Sequence, residues 1–550
     1  MSEASQATTQ TVKAEKEAAV DSISGIKKVS APMRSVTEFF ACSSYRSGQR
    51  EVMLEIEDAF KTYNYLVLEA PTGAGKSQIA FPFALKYNDS YILTVMKVLQ
   101  DQYARDFGDG VFVMKGKGEY ICLKANQIKP LPAEVTTCAK GWCERQPKRK
   151  GKKVEKCEGC PYRMARMEAA MAPVTAYNYD AFYYQGLGGM PKRQFMLIDE
   201  AHNLEGKTSN FVSFTISNRR KKELKIPDFH KTKQYEEWLK AYYEKMSSRL
   251  DEIDPYISFD SALFAESVNI VDMLRRIDVY FMYKEKYGVE YVSQFTDHKL
   301  WQTVTFRPLF VNAFTGRIFW NRSEKFLMMS ATILDKKLFC ESVGLDPAEV
   351  KFIQKDSTFP VENRPLYLNF VGSMSYKNIN DTLPKIVDAL EKLLQYYRDD
   401  KGIVQTHSEK IASYIKANCH DPRLTFNKDY RKVEDTLRAH RMKPGSFIVA
   451  SGLREGLDLH GDLSRVQVLC KVPYANLGDK WVKERMARNP DWYGYNAVLS
   501  FVQSIGRSVR SETDVAKTYV LDSNFTKLYN MYRRMFPKYV TEAFIWKKKK

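Results

Sequence analysis

A glycine-rich segment at residues 69–77 has the composition needed to hold a chain of phosphates. It reads Glu-Ala-Pro-Thr-Gly-Ala-Gly-Lys-Ser and directly follows an apolar run. Gly73 and Gly75 let the backbone wrap closely around phosphate oxygens, because glycine adopts conformations that other residues avoid. Lys76 can reach the β- and γ-phosphates of a nucleotide, and the Ser77 hydroxyl can bind Mg²⁺. The segment therefore predicts a phosphate-binding loop.

The general pattern for such a loop has glycine where this chain has Ala70. Alanine is compatible with the loop if its φ stays negative. The alternative interpretation is a glycine-rich strand-to-helix turn with an incidental lysine. The residues of this segment that we expect to contact a nucleotide are Ala70, Pro71, Thr72, Gly73, Ala74, Gly75, Lys76 and Ser77.

Two adjacent acids, Asp199 and Glu200, follow the apolar run Phe195-Met196-Leu197-Ile198. In α/β sheets, ligands bind at the carboxyl ends of strands, so these acids are placed to meet the phosphate loop. Asp199 would help to hold Mg²⁺, and Glu200 would orient or deprotonate an attacking water. His202 has two interpretations: it couples the nucleotide state to neighbouring segments, or it is a hydrogen-bonded loop histidine.

Two arginines near the C-terminus, Arg507 and Arg510, are three residues apart in the segment Gln503–Arg510. That spacing predicts that they share one face of a helix. Guanidinium groups suit the charge that develops on a γ-phosphate during transfer, so both are expected to act as arginine fingers. A surface basic helix is the alternative. With Lys76 in one half and the arginines in the other, a nucleotide would close a cleft between two halves.

Five of the nine cysteines fall in one short stretch, whereas the other four are scattered. Clustering in a long chain without a secretory leader favours a metal or cluster site over disulfides. Thiolates suit iron–sulfur clusters and zinc equally well, and either site needs four ligands, so one cysteine is spare. The candidate ligands are Cys122, Cys138, Cys143, Cys157 and Cys160.

Short apolar runs beside glycine and small polar residues predict the elements that position these groups. They form two sets, with helical patterns between many of them, which predicts an α/β fold of two doubly wound units joined near residue 345. Residues 204 to about 305 are rich in Lys, Glu, Tyr, Leu and Met at helical spacing and predict a helical insertion. The predicted strands include Tyr65–Leu68, Tyr91–Thr94, Phe195–Ile198, Phe326–Met329, Gly402–Gln405, Phe447–Ala450, Val466–Leu469 and Thr518–Leu521.

The charge balance points to a polyanionic partner. The chain has 550 residues, with 85 Lys and Arg against 66 Asp and Glu, a formal charge of +19. Basic side chains that neutralise phosphates release condensed counterions, which favours nucleic-acid binding. The basic run at 147–153 is either a solvated loop or a grip on DNA phosphates. We find no apolar run long enough to span a membrane and no leader, so we expect an intracellular, cytoplasmic protein.

The order of these segments resembles superfamily 2 helicases, and more narrowly the iron–sulfur branch that contains XPD and DinG. Ser330-Ala331-Thr332-Ile333 is similar to the family's coupling motif. The other segments that carry the resemblance are Tyr45–Gln49, Glu69–Ser77, Thr94–Gln102, Asp199–His202 (the DEAH box), Ser357–Pro360, Glu362–Pro365, Lys401–Ser408, Glu455–Leu459 and Gln503–Arg510.

The resemblance implies two RecA-like motor domains and further nucleotide-contacting residues: Arg46, Gln49, Gly456, Asp458 and Gln503. It also implies an iron–sulfur cluster, of the 4Fe-4S type, bound by a domain inserted before the DEAH box. In this comparison Cys122 and Cys160 match the first and last ligands and Cys157 a third, while Cys138 and Cys143 compete for the remaining place.

The family's architecture implies a set of domain boundaries for this chain. We expect tails at 1–34 and 547–550, motor domain 1 in three parts (35–114, 163–203 and 306–344), an iron–sulfur domain at 115–162, an arch domain at 204–305 and motor domain 2 at 345–546. Tyr242, Tyr243 and Tyr280 of the arch could stack on bases, although helix packing is the commoner role of such residues.

The expected function is that of an ATP- and Mg²⁺-dependent DNA helicase, with a role such as DNA repair, located in the nucleoid or in a eukaryotic nucleus. It would move along single-stranded DNA and unwind forked duplex, with 5′→3′ polarity implied by the resemblance alone. The alternative is a DNA-stimulated ATPase that remodels nucleoprotein complexes, or a subunit that only clamps DNA. A complete set of Lys76, Glu200 and the two arginines favours an active enzyme, because a clamp needs no acid to position water.

Overall fold

The computed structural model describes residues 34–126, 137–141, 143, 157–187, 189–218, 225–257, 260–298, 301–427, 433–452, 459, 461–509 and 511–546. Several sequence predictions lie outside these residues. They are the N-terminal tail except Arg34, the basic run at 147–153, Gly456, Asp458, Arg510 and the C-terminal lysines.

The first half of the chain builds a seven-stranded parallel sheet. Its strands are β1 Tyr65–Glu69, β2 Ser90–Thr94, β3 Phe112–Met114, β4 Val174–Asn178, β5 Arg193–Ile198, β9 Ser323–Ser330 and β10 Val350–Gln354, in the order β10-β1-β9-β5-β2-β4-β3. The central strands are buried along most of their length because helices cover both faces, which explains their continuous apolar sequences. The phosphate loop and the two acids follow the carboxyl ends of β1 and β5, and Ser330 is the last residue of β9, the strand between them.

Helices lie before, between and after these strands. They are α1 Gln49–Ala59, α2 Lys76–Tyr87, α3 Lys97–Phe107, α4 Leu123–Asn126, α5 Pro161–Met171, α6 Tyr179–Leu187, α7 Leu204–Val212, α8 Thr232–Ile253, α9 Ser261–Tyr287, α10 Asn312–Phe314 and α11 Lys336–Val343. Two apolar clusters, one on each face of the sheet, hold these helices in place.

The insertion after the DEAH segment was predicted from the sequence to be helical, but it also contains strands. Beside the long helices α8 and α9 it contains a three-stranded antiparallel sheet of β6 Phe214–Asn218, β7 Tyr291–Asp297 and β8 Gln302–Pro308, in the order β6-β8-β7. Along β8, buried and half-buried residues alternate, the period of a strand. The boundary predicted at residue 305 therefore falls inside a strand.

Aromatic side chains of the insertion pack within it. Tyr280 is 1% exposed, and its hydroxyl donates to Glu236 at 3.0 Å. Tyr242 is stacked against Trp238, and Tyr243 is half-buried against the same core. The packing interpretation of these tyrosines therefore holds for Tyr280.

The second half builds another seven-stranded parallel sheet. Its strands are β11 Leu366–Gly372, β12 Gly402–Gln405, β13 Leu424–Phe426, β14 Phe447–Ala450, β15 Val466–Leu469, β16 Lys517–Asp522 and β17 Phe544–Trp546, in the order β13-β14-β12-β15-β16-β11-β17. Its helices are α12 Ile379–Tyr396, α13 Glu409–Asn418, α14 Val433–Met442, α15 Lys480–Arg488, α16 Pro490–Ile505, α17 Asn524–Tyr532 and α18 Lys538–Thr541. The fold is thus two RecA-like α/β units, each around its own parallel sheet.

The junction between the two sheets lies later than predicted. Strand β10 pairs in parallel with β1, with Tyr65 beside Val350, so the first sheet extends to residue 354. The prediction of a junction near residue 345 is therefore wrong. At the edge of the sheet β10 is only partly buried, and its mixed sequence gives no continuous apolar run.

In the described part of the chain, none of the helices combines the length and the apolar character that crossing a bilayer requires.

Candidate nucleotide site and cysteine cluster

The phosphate loop joins β1 to α2 with two residues in the left-handed region. Gly73 has φ 84°, and Gly75, the N-cap of α2, has φ 72°. A Cβ built on Gly75 would lie 2.2 Å from Nε2 of Gln49, so this position needs glycine both for its conformation and for the close approach of Gln49. Ala70 is not among the residues with positive φ, which satisfies the condition that the sequence set for it.

The segment before the loop contacts it directly. Gln49 Nε2 donates to the carbonyl of Ala74 at 3.2 Å, and Arg46 Nη1 donates to the carbonyl of Gly73 at 2.5 Å. Lys76 Nζ donates to the carbonyls of Ala70 and Pro71, at 3.1 and 3.3 Å. The loop is thus closed around its lysine, with Arg46 and Gln49 against its outer side.

The two acids lie where β5 ends. Asp199 is 7% exposed, and its Oδ1 accepts a hydrogen bond from the Glu200 amide at 2.9 Å. Burial, and then the charge of Glu200, raises the pKa of Asp199 to about 7, although Lys76 opposes this. A cation bound next to Asp199 would stabilise its ionised form and lower this pKa.

Tyr103 of α3 is a site residue that the sequence analysis missed. Its hydroxyl donates to Asp199 Oδ2 at 3.3 Å, and the Ser77 hydroxyl hydrogen-bonds the same phenol. Burial and the nearby Asp199 raise the pKa of Tyr103 well above its ordinary value, so the phenol keeps its proton. In the sequence Tyr103 looks like one more aromatic of an apolar helix face, since its ring packs beside Phe107. Only the folded structure shows that the Tyr103 hydroxyl reaches Asp199 and Ser77.

His202 lies between the acid pair and the strand end of β9. Its Nδ1 is 2.7 Å from Ser330 Oγ and 3.3 Å from Glu200 Oε2, and its Nε2 is 2.9 Å from Asn203 Nδ2. Ser330 opens the segment that resembles the coupling motif. The hydrogen bonds of His202 fit both the coupling interpretation and that of a hydrogen-bonded loop histidine, so its role stays a prediction.

The second half faces the phosphate loop across a cavity of about 620 Å³. Residues 71–73, Glu200 and His202 line it from the first half, and Gln503 and Arg507 line it from the second. Gln503 Nε2 also donates to Thr332 Oγ1 at 3.4 Å, a polar contact between the halves.

The prediction that Arg507 lies on a helix is wrong. Helix α16 ends at Ile505, and Gly506 is its C-cap, with its N–H donated to the carbonyl of Val502. Gly506 has φ −79° and ψ 24°, so the helix ends there without a residue in the left-handed region. Arg507 therefore leaves the helix at its end, 6% exposed, beside the cavity.

The five clustered cysteines meet in one region. Cys122, Cys138, Cys157 and Cys160 are buried and Cys143 is half-buried, all beside one apolar core. The sulfur atoms of Cys138 and Cys160 are 3.9 Å apart.

Local structure explains why these cysteines converge. Next to an antiparallel bridge between Ile121 and Thr137, the Cys138 amide donates to the Tyr120 carbonyl at 2.7 Å, which brings Cys138 near Cys122. Cys160 is the N-cap of α5. Backbone amides reach two of the sulfurs, that of Lys124 to Cys157 and that of Tyr162 to Cys138.

The thiols disfavour one another's ionisation. Burial, and then the neighbouring Cys160, raises the pKa of Cys138 to about 12, and burial and Cys143 raise that of Cys157 to about 11. A bound cation reverses this effect, since coordinated thiols are deprotonated. Within the described residues, no group of three or more His, Cys, Asp or Glu side chains is drawn tightly enough to hold a metal ion.

Comparisons with known proteins agree with this fold and site. A family model described as helicase C-terminal domain matches residues 394–543, and one described as DEAD_2 matches residues 149–220. A probable ATP-dependent helicase of Methanocaldococcus jannaschii is 22% identical to the chain, covering 89% of it and 93% of the relative. The ATP-dependent DNA helicase DinG of Photobacterium profundum is 24% identical over 39% of this chain and 34% of its own length.

Among solved structures, an XPD helicase superposes with a TM-score of 0.64 at 16% identity, covering 92% of this chain and 100% of that chain. At this identity the superposition shows the shared fold. The two family models and these relatives support an XPD/DinG-type helicase of superfamily 2 that hydrolyses ATP.

Proposed function

We propose that this chain is an ATP- and Mg²⁺-dependent DNA helicase that moves 5′→3′ along single-stranded DNA and separates the duplex ahead of it. One observation carries the proposal: the phosphate loop and Glu200 of one half line the same cavity as Gln503 and Arg507 of the other. A nucleotide in this cavity would contact both halves. Its binding and hydrolysis could therefore drive their relative movement.

Lys76, Glu200 and Arg507 each have a role in this proposal. Lys76 now donates to two neutral carbonyls, and phosphate oxygens would offer it stronger, charge-assisted bonds. Glu200, held near His202, would orient and deprotonate the attacking water. Arg507 would stabilise the charge that develops on the transferred phosphoryl group. Arg510, Gly456 and Asp458 stay predictions from the resemblance.

Ser77 and Asp199 fit a magnesium site. Both side chains hydrogen-bond the phenol of Tyr103, so a hydroxyl and a carboxylate lie on either side of one atom. Oxygen ligands of this kind suit Mg²⁺, and bound Mg²⁺ would neutralise phosphate charge. The raised pKa of Asp199 is consistent with a carboxylate that awaits a cation.

The cysteine region fits an iron–sulfur cluster. Five thiols converge there, and two backbone N–H groups already point at sulfur atoms, as such clusters favour. We propose Cys122, Cys138, Cys157 and Cys160 as the ligands because these four are buried, with half-buried Cys143 as the spare cysteine. A cluster bound there would cross-link segments that are far apart in sequence, giving the domain a firm edge against which strands could part.

DNA is the proposed polyanion. The formal charge of +19 favours backbone contacts, which bind single strands with little regard to sequence and weaken as salt rises. The relative DinG is named a DNA helicase. By the same argument, raising the salt concentration should weaken binding of oligonucleotides of unrelated sequence to a similar extent.

Unwinding of labelled forks tests the function. Forks with only a 5′ or only a 3′ single-stranded tail are incubated with ATP and Mg²⁺, and separated strands are counted beside released phosphate. We expect separation of the 5′-tailed fork, and neither separation nor hydrolysis with Lys76→Ala or Arg507→Ala. Unwinding by Lys76→Ala would refute the assigned site, preference for the 3′ tail would reverse the polarity, and hydrolysis without separation would favour the remodelling ATPase.

Cysteine variants test the cluster. Protein purified without oxygen should absorb broadly near about 400 nm and contain iron. We expect Cys138→Ser to lose both signals and Cys143→Ser to keep them. Zinc without the absorption band would establish the zinc alternative, and the opposite response of the two variants would exchange the assigned ligands.

A further inference from the structure

One residue after the segment that resembles the coupling motif holds a conformation that leucine rarely adopts. Leu334 has φ 67°, one of four non-glycine residues with positive φ in the described part of the chain. A side chain with a Cβ is disfavoured in this region, so surrounding contacts must hold it there. The peptide group that joins Ile333 to Leu334 supplies those contacts.

Glu69, the last residue of β1, holds the N–H side of this turn. It directly precedes the phosphate loop and is 5% exposed. Its Oε1 accepts hydrogen bonds from the amides of Ile333 and Leu334, at 2.7 and 2.9 Å. Its Oε2 accepts one from Gln354 Nε2 at 3.2 Å. The carboxylate thus ties the start of the phosphate loop to the strained turn.

Tyr495 holds the carbonyl side of the same peptide group from the other half of the molecule. It lies on α16, is 5% exposed, and its hydroxyl donates to the carbonyl of Ile333 at 2.8 Å. The Leu334 side chain also packs against the apolar cluster of the second half that contains Val498 and Phe501 of this helix. Helix α16 ends two residues before Arg507.

A single peptide group is therefore bonded to both motor halves. Its carbonyl also accepts a hydrogen bond from the Asp335 amide at 2.8 Å. Rotating the peptide to relieve the strain at Leu334 would break this bond, the Leu334 N–H bond to Glu69 and the bond from Tyr495 together, and would turn the carbonyl toward the carboxylate. The bonds on its two sides therefore constrain each other: a displacement of Glu69 that turns this peptide also distorts the bond from Tyr495.

We propose that Glu69 and Tyr495 are positioning residues that couple the phosphate loop to Arg507 through the Ile333–Leu334 peptide. When nucleotide shifts the loop, Glu69 moves the peptide, and Tyr495 carries that movement into α16 and its arginine. The proposal deepens the proposed function, on which it rests, by naming the contact through which hydrolysis becomes movement between the halves.

Tyr495→Phe removes one hydroxyl from this link, and Tyr493→Phe is its matched control. Tyr493 lies on the same helix, and its hydroxyl donates to the carbonyl of Ala475 within the second half, at 3.1 Å. We measure the ATP consumed per base pair unwound and, separately, KM and kcat for ATP with single-stranded DNA. Tyr495 does not border the nucleotide cavity, so KM for ATP should stay within about twofold of the wild-type value. The ATP consumed per base pair should rise about fivefold, because the free energy of one hydrogen bond corresponds to roughly that factor.

Equal values for the Tyr495→Phe and Tyr493→Phe variants would overturn the proposal. Glu69 gives a second test: Glu69→Gln keeps an oxygen that can accept both amides and should retain most of the coupling, and Glu69→Ala should lose it. Equal coupling in those two variants would also refute the link. If wild-type protein hydrolyses ATP without unwinding, the proposed function fails, and the link is then judged by how far single-stranded DNA stimulates kcat in each variant.

Discussion

Arg485 is predicted to hold the second motor half against the insertion of the first. It lies on α15 and is 2% exposed, with Nη1 donated to the Leu309 carbonyl at 2.7 Å and Nη2 paired with Glu205 of α7. Its guanidinium also lies over the rings of Phe310 and Trp492, at 4.8 and 4.7 Å from their centroids. Both Nη groups are therefore paired and the guanidinium is stacked, whereas its buried Nε has no hydrogen-bond partner.

Replacing Arg485 with alanine would leave Glu205 without its partner in a largely buried place, since the Glu205 side chain is only 16% exposed. Removing one member of a buried ion pair costs about 3 to 5 kcal/mol, chiefly because the remaining charge stays desolvated. The lost ring contacts add to this, although such contributions are not simply additive. For a unit of about 200 residues, the change corresponds to roughly 6 to 20 °C in thermal midpoint.

Arg488→Ala is the control, on the same helix. Arg488 pairs with Glu290 at 3.2 Å, but the two side chains are 55% and 57% exposed, so the loss should be about 1 kcal/mol or less. Thermal unfolding followed by circular dichroism gives the midpoints, and hydrogen exchange of the α15 amides shows whether this contact opens first. Equal midpoints for Arg485→Ala and Arg488→Ala, or no faster exchange in α15, would refute the reasoning.

Three further changes have definite expected outcomes. Tyr103→Phe should raise the Mg²⁺ concentration that gives half-maximal ATP hydrolysis about tenfold, because the predicted magnesium ligands lose the hydroxyl that orients them. Tyr91→Phe is the control and should leave this concentration unchanged, since the Tyr91 hydroxyl donates to the carbonyl of Pro191 and not to a predicted ligand. Gly75→Ala should abolish nucleotide binding, measured by fluorescence of a labelled analogue, since its Cβ would displace Gln49 and its φ is unfavourable. A hydrogen bond from Arg423 holds the pKa of Asp421 below its ordinary value of 3.8. The ionised Asp421 therefore stabilises the fold above pH 3.8, and this stabilisation is lost as pH falls through the lower pKa of the folded state. The difference in thermal midpoint between wild type and Asp421→Asn should accordingly shrink below about pH 4, and a constant difference would contradict the assignment.

The eight predicted strands are all present because each is an apolar run buried on both faces of a parallel sheet, a pattern that a sequence displays directly. Strand β10 escaped prediction since an edge strand is only half-covered and keeps polar residues. The antiparallel sheet of the insertion was missed because its short alternating strands flank two long helices whose composition dominates the region.

In the candidate site, too, some features could be predicted from the sequence and others could not. Glycine, lysine and serine at fixed spacing in the phosphate loop indicate their chemistry without any fold, because neighbours along the chain form that loop. Arg507 was assigned to a helix because three-residue spacing suggests one, but the glycine before it ends the helix instead. Spacing alone cannot distinguish a glycine inside a helix from one that terminates it.

The amino-acid sequence predicts the local features, which are the buried strands, the phosphate loop, the acid pair and the group of cysteines. Each follows from residues close together in the chain, whose conformation and polarity depend mainly on one another. The contacts of Tyr103, Glu69 and Tyr495 become visible only in the folded chain, because their partners lie 96, 264 and 162 positions away. Such contacts depend on how whole sheets and helices pack, and packing depends on the combined shape of many side chains.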